Sequence, residues 1–364
     1  MPLHLPDFPW DELGPAKATA QRHPEGLIDL SVGSPVDHSP AIAQEALREA
    51  ADSPGYPTAW GSLDTRTVLA RWWNEQRGAN AVGPEGVMPT VGSKEMVGLL
   101  PLLMGLGPSD TVVIPEIAYP TYAVGAQLVG AHVVAQDDPA QWPDQASLVW
   151  VNSPSNPTGE VKGVEYLRHA VARAREIGAV LASDECYALL GTHDSPTSPS
   201  LLADAATNGD LSGLLALYSL SKQSNLAGYR AAMVAGDPKL IQELLLPRRH
   251  LGLMMPEPIQ QALAAVLSDP SGVDVVRATY LHRRSILEGA LRDADWSIDG
   301  GDAGLYLWVT NGLSSMESVD WFAERGILVA PGHFYGPAGA SHVRVALTAS
   351  DSDIEAAARR ITAG

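Results

Sequence analysis

The run Ser219-Leu-Ser-Lys222 follows an apolar stretch, 214–218, so a primary amine sits among small residues where a strand gives way to a loop. Partial removal from water disfavours the ammonium, lowers its pKa and leaves some of the lysine as a free amine that can attack a carbonyl. A lysine that simply reaches solvent is the commoner occupant of such a turn. Arg230 lies eight residues further on and opens the next apolar run. A link that short cannot cross over to a parallel strand, which takes about a dozen residues, so the run from residue 230 is expected to be antiparallel. That geometry returns the guanidinium to the edge that carries Lys222, where it and the hydroxyls of Ser219 and Ser221 could clamp a phosphate dianion. Pairing with a carboxylate is the other use of such an arginine.

Asp184 closes the buried-looking run 179–184. A carboxylate there is costly without a cationic partner, and the protonated ring nitrogen of a bound molecule would serve; a helix N-cap is the alternative. Asn152-Ser-Pro-Ser-Asn156-Pro157-Thr-Gly159 is a rigid turn that would hold the Asn156 amide still, although turns of this composition are frequent. Gly92-Ser93-Lys94 opens a helical pattern over 95–103, so its N–H groups form a phosphate seat at a helix start. Ser93 as a plain N-cap is the alternative.

Short apolar runs alternate with helical patterns through the middle of the chain, as in βαβ units with a mostly parallel sheet. The runs 111–115, 132–135, 147–152, 180–183, 214–218 and 230–235 read as strands, and 164–177 as a helix between two of them. Four of these strands run into Tyr119, Asn156, Asp184 with Tyr187, and Lys222 with its serines. Ligands collect at the carboxyl ends of such strands. Further runs at 304–310 and 343–347, with helices at 275–293 and 351–361, suffice for a smaller α/β unit that would recruit the short strand 27–32. The expected organisation is a large domain over 36–260 and a small one from 1–35 and 261–364.

The chain has 364 residues, 45% hydrophobic and 18% charged, which suits a globular enzyme of two domains. A formal charge of −18 argues against nucleic acid or an anionic membrane as partner, so any anionic ligand must be met by locally gathered cations. The first 20 residues have neither the basic start nor the apolar run of a signal peptide. No stretch approaches the roughly 20 apolar residues of a membrane span. The single Cys186 leaves no intramolecular disulfide, and a cytoplasmic protein is expected.

Taken in order, Asn156-Pro157-x-Gly159, Asp184-x-x-Tyr187, Ser219-x-Ser221-Lys222, Arg230 and Arg344 resemble the fold-type I, class I and II aminotransferases that depend on pyridoxal 5'-phosphate. The resemblance runs over residues 30–347 and implies a mostly parallel sheet with one antiparallel strand, plus a small α/β C-terminal domain. It also implies roles. Lys222 would bond the cofactor as a Schiff base, Asp184 would keep the ring nitrogen protonated, and Asn156 and Tyr187 would bond the phenolic oxygen. Tyr119 would stack on the ring; Gly92, Ser93, Lys94, Ser219, Ser221 and Arg230 would hold the phosphate. Tyr56 in Gly55-Tyr-Pro57 would reach the phosphate of a second subunit, which implies a homodimer with shared sites. Arg344, assisted by the backbone at Gly33, would take the substrate α-carboxylate. Lys94 departs from the family, which usually has an uncharged residue there; it would face solvent or serve a distal carboxylate.

Phe8-Pro-Trp-Asp11, His23-Pro-x-Gly26, the run 248–254 and Gly304-Leu-Tyr-Leu-Trp308 narrow the resemblance to the actinobacterial N-succinyldiaminopimelate aminotransferases of lysine and diaminopimelate biosynthesis. Glutamate would then be the donor and N-succinyl-2-amino-6-ketopimelate the acceptor, with ping-pong kinetics. Arg248, Arg249 and Lys94 are candidates for the distal carboxylates; His333 could also line the pocket, although a loop histidine is more often a bystander. An aminotransferase with another acceptor, or a C–S β-lyase, would share every cofactor residue. A non-catalytic cofactor-binding regulatory module is the reading outside enzymes, disfavoured because little chain precedes residue 30 to hold a DNA-binding domain.

Overall fold

The computed structural model describes residues 5–301 and 303–363; residues 1–4, which open the segment read for an export signal, lie outside them. A seven-stranded sheet is built from β1 (Val87–Val91), β2 (Thr111–Ile114), β3 (His132–Ala135), β4 (Ala146–Asn152), β5 (Val180–Asp184), β6 (Leu214–Ser219) and β7 (Ala231–Gly236), in the order β1-β7-β6-β5-β4-β2-β3. β7 is antiparallel to both neighbours, and the other pairings are parallel. β6 and β7 are buried along their whole length, as expected where helices cover both faces of a sheet. One face packs Trp72, Trp73, Leu181 and Leu263; the other packs Met96, Leu100, Tyr122 and Trp150.

The antiparallel return after Lys222 is present, but its strand starts at Ala231, and Arg230 itself occupies the turn with φ +58°. A non-glycine residue there is uncommon and must be held by its surroundings. β1 was not among the expected strands because Pro89 interrupts its pattern. Proline lacks the N–H that an inner strand needs, and β1 lies at the sheet edge.

A second, antiparallel sheet has the order β10-β11-β9-β8, with β8 at Ser297–Asp299, β9 at Tyr306–Thr310, β10 at Ala330–Pro331 and β11 at Val343–Ala346. Its core takes in Leu13, Ala16, Ile28 and Leu30 from the N-terminal segment. The strand expected at 27–32 is reduced to Ile28–Asp29, paired in parallel with Ile327–Leu328. The boundary expected at residue 260 falls inside the helix Glu257–Ser268, whose Ala262, Leu263 and Val266 join the core of the large sheet. No helix among the described residues is long and apolar enough to cross a membrane.

Beyond β5 the chain is anchored by an ion pair between Arg77 and Glu185, 2.8 Å apart and each about 1% exposed. Glu185 also accepts from Leu201 N at 2.7 Å and Ser200 Oγ at 3.1 Å. Removing one partner of such a pair strands a charge in the interior, whereas removing both does not. Glu185→Leu is therefore expected to lower unfolding stability by about 3–5 kcal/mol in urea titration, with much of the loss recovered in the double variant Arg77→Met/Glu185→Leu.

Candidate active site

β4, β5 and β6 end side by side, with Asn152 opposite Asp184 and Asp184 opposite Leu217, so their following residues open on one sheet edge. The antiparallel β7 begins at that edge, with Ala232 opposite Ser219. A cavity of about 430 Å³ lies there, closed from the other side by Tyr306 and Arg344 of the small sheet and by Phe8, Trp10 and Gly33 of the N-terminal segment.

One end of the cavity is a cluster of anion-binding groups. Ser219 caps the one-turn helix Leu220–Gln223, and its Oγ donates to Ser221 Oγ at 2.9 Å. Arg230 enters from the turn before β7, with Nη1 on the carbonyl of Ala227 at 2.9 Å and no carboxylate partner among the described residues. Across from it begins the helix Ser93–Leu103, capped by Gly92 at φ +74°. A Cβ at residue 92 would stand 2.1 Å from Arg230 Nη2, so only glycine leaves room for the guanidinium beside the helix start. Ser93 and Lys94 line the cavity as well.

The other end holds Asp184, whose Oδ2 accepts from Tyr122 Oη at 3.0 Å and whose Oδ1 accepts from Cys186 N at 3.2 Å. Burial raises its pKa above the usual carboxylate range, only partly offset by these hydrogen bonds. It has no cation within salt-bridge distance among the described residues. Lys222 lines the same cavity and donates to the carbonyl of Gly33. Burial lowers its pKa, as the sequence setting led us to expect, and the guanidinium of Arg344 adds to that shift. Tyr119 lines the wall, its ring edge-on to Tyr122 at 6.0 Å.

Arg344, on β11, is 3% exposed and yet pairs with no carboxylate among the described residues. Nη1 donates to Asn156 Oδ1 at 2.9 Å, Nη2 to the carbonyl of Ser31 at 2.6 Å, and Nε is left without a partner. Its guanidinium lies 4.0 Å from the ring centre of Tyr306, whose hydroxyl meets that of Tyr187 at 3.2 Å. Asn156 is itself held by Asn152, which accepts from its N–H at 2.7 Å.

Twelve of the residues singled out from the sequence thus line one cavity, and Gly92 flanks it. Tyr56 does not reach it, being 98% exposed in the single chain. Arg248 is corrected outright. It is fully buried and paired with Glu95, which accepts from Val91 N at 2.9 Å, so it braces the helix start rather than waiting for a ligand. Arg249 is exposed and His333 is held by Ser315 and Glu12; neither lines the cavity. Tyr306 and Tyr122 were missed. Each left a faint signal: Tyr306 alternates with Trp308 on a strand that pairs with the one carrying Arg344, and Tyr122 follows Tyr119 by three residues at a helix start.

The lining therefore carries four cations, Lys94, Lys222, Arg230 and Arg344, against the single carboxylate Asp184. The chain matches the family described as aminotransferase class I and II over residues 25–361, and it belongs to that family. It is a pyridoxal-phosphate-dependent aminotransferase. It is 48% identical over 359 residues to a probable aminotransferase of Mycobacterium tuberculosis, covering 98% of this chain and 85% of that one. It is 46% identical to 4-dedimethylamino-4-oxo-anhydrotetracycline transaminase of Streptomyces rimosus, covering 98% and 99%. Among solved structures it resembles a probable N-succinyldiaminopimelate aminotransferase from Thermus thermophilus, with TM-score 0.85, 29% identity and coverage of 98% and 99%.

The residues fit that cofactor on three separate counts. Among the described residues a buried carboxylate lacks a cation, two serines and an arginine lack an anion, and an amine of lowered pKa lines the same cavity. A pyridinium nitrogen, a phosphate and an aldehyde on one ring are the complement of that set. Gly92→Ala is expected to weaken pyridoxal phosphate binding by roughly tenfold or more, since 1.4 kcal/mol of displaced guanidinium contact suffices. Fluorescence or absorbance titration of the cofactor-free protein checks it, and unchanged affinity would contradict the seat described.

Proposed function

We propose that the chain moves an amino group from glutamate to N-succinyl-2-amino-6-ketopimelate, with Lys222 as the cofactor lysine and general base. The observation that carries the reading is the excess of cations in the cavity: a phosphate and one α-carboxylate occupy Arg230 and Arg344, and Lys94 remains for a distal carboxylate. Lys94, an exposed residue of the cavity lining, has its Nζ 5.8 Å from the Tyr119 ring and 5.6 Å from that of Phe8. The named activity of the Thermus thermophilus neighbour supports the acceptor. So does the 28% identity over 372 residues to LL-diaminopimelate aminotransferase of Dehalococcoides mccartyi. The Streptomyces rimosus relative favours a second reading, in which the acceptor is a ketone on a larger ring system.

In this assignment Asp184 would keep the cofactor's ring nitrogen protonated, Asn156 and Tyr187 would hold its phenolic oxygen, and Tyr119 would cover its face. Ser93, Ser219, Ser221 and Arg230 bind the phosphate. Tyr56, exposed here, reaches the phosphate of a second copy in a homodimer. Held by these residues, pyridoxal phosphate would supply an electron sink that makes the α-hydrogen of an amino acid removable, and Lys222 would be the amine that bonds it between substrates. Arg344 binds the α-carboxylate through its two nitrogens, with the Gly33 backbone beside it, and so fixes where Cα lies. Lys222 Nζ, whose pKa burial lowers, takes the α-proton and later hands it on. The large sheet with its helices, through Ser268, forms the cofactor-bearing unit of this proposal, and the small sheet with the N-terminal segment the unit that brings Arg344 to it.

Lys222→Ala is expected to lower turnover by about a thousandfold or more in a stopped-flow half-reaction with glutamate. Lys94→Gln should raise KM for an acceptor with a distal carboxylate by roughly tenfold and leave a monocarboxylate acceptor within about twofold. A panel of keto acids run against glutamate decides between the acceptors. Turnover of bulky cyclic ketones in preference to dicarboxylates would reject the first reading.

A further inference from the structure

Two cations of the cavity are linked by a short strip of aromatic rings that the cofactor assignments leave unused. The Arg344 guanidinium lies 5.9 Å from the ring centre of Trp10, Trp10 stacks on Phe8 at 5.5 Å with 29° between the planes, and Lys94 Nζ stands 5.6 Å from the Phe8 ring. Each contact falls within the range over which a ring attracts a cation or another ring. The strip is fixed from behind. Pro9 confines Phe8 to extended backbone and opens the short 3-10 helix Pro9–Leu13. Trp10 packs on Phe334 at 5.4 Å, and its indole N–H donates to the carbonyl of Ser31 at 3.4 Å. Glu12 meets His333 at 3.2 Å, and Leu13 is buried. The Phe8 ring lines the cavity and is nevertheless 56% exposed. A large apolar ring held in place and left half in water binds best what covers it, because the ordering has been done beforehand.

We propose that Phe8 is a specificity-determining residue: its ring, continued by Trp10, carries the spine of a long dicarboxylate whose ends are held by Arg344 and Lys94. The inference rests on the reading that the acceptor is N-succinyl-2-amino-6-ketopimelate with its α-carboxylate on Arg344, and it names what selects that acceptor. In a ping-pong reaction one cavity must take a short donor and a long acceptor in turn. An end wall that fits one of them excludes the other, whereas a floor along the cavity admits both and favours the longer. Glutamate has little chain to lay on the rings. The acylated acceptor has several methylenes and a planar amide, which lies flat on an aromatic face. Covering the exposed part of one such ring is worth about tenfold in affinity. Lys94 contributes charge at the far end of the strip, and Phe8 contributes discrimination by what lies between the carboxylates.

The test is calorimetric and uses the holoenzyme with two probes that lack the reacting amine, N-succinyl-2-aminopimelate as the long ligand and glutarate as the short one. The wild type is expected to bind the long probe more tightly. In Phe8→Ala its preference for the long probe over the short one should fall about tenfold, and in Phe8→Tyr, which keeps the ring, it should return to within about threefold of the wild type. A preference that stays within about twofold in Phe8→Ala overturns the proposal, as does a loss that Phe8→Tyr leaves unrepaired. A variant whose site is merely loosened weakens both probes alike and leaves the ratio in place, which also counts against it. A wild type that prefers glutarate, or that fails to transfer an amino group from N-succinyl-2,6-diaminopimelate to its cofactor, rejects the acceptor reading itself and this inference with it.

Discussion

The structure turns on a local charge excess held inside an acidic chain. Around one cavity, four cations face a single carboxylate, while the whole chain carries a formal charge of −18. Like charges brought that close in a partly dry site repel one another, and each loses hydration. The arrangement is stable to the extent that rigid elements fix it and an anionic ligand completes it. Arg344 shows the cost most plainly: it is buried, and among the described residues it is bound only to neutral oxygens, with Nε unpartnered.

Several elements within and around the cavity hold that arrangement. Glu95 and Arg248 brace the helix start beside the anion seat, and Gly92 clears the space that Arg230 fills. Arg77 and Glu185 fasten the chain just past Asp184, and the serine-capped turn at 219–223 presents Lys222 inward. The small sheet adds Tyr306 and Arg344 from opposing strands, with Trp308 directly opposite Arg344. The site is assembled from both sheets and the N-terminal segment. Its geometry therefore depends on how those parts pack, and not on any single loop.

Much of this was legible in the residues because strands of a parallel sheet are uniformly apolar and the functional groups follow them at their carboxyl ends. The six central strands lie within a residue or so of where the apolar runs put them, and the helix Val164–Ile177 has the expected bounds. The short link after Lys222 fixed the direction of β7 by distance alone. Other features were illegible for physical reasons. β1 contains a proline that only an edge position tolerates, and being an edge is a tertiary fact. Arg248 resembled a free cation until Glu95, distant in sequence, was brought against it. Tyr306 reads as one more apolar strand residue, since nothing local reveals that Gly33 makes room for its hydroxyl.

The central claim is that Lys222 is the amine that bonds the cofactor in this cavity. Borohydride reduction of the purified holoenzyme, followed by peptide mass spectrometry, tests it directly. The account predicts that reduced pyridoxal phosphate is carried by the peptide containing Lys222 and by no other lysine. Attachment at Lys94 or at a surface lysine, with Lys222 unlabelled, would contradict it.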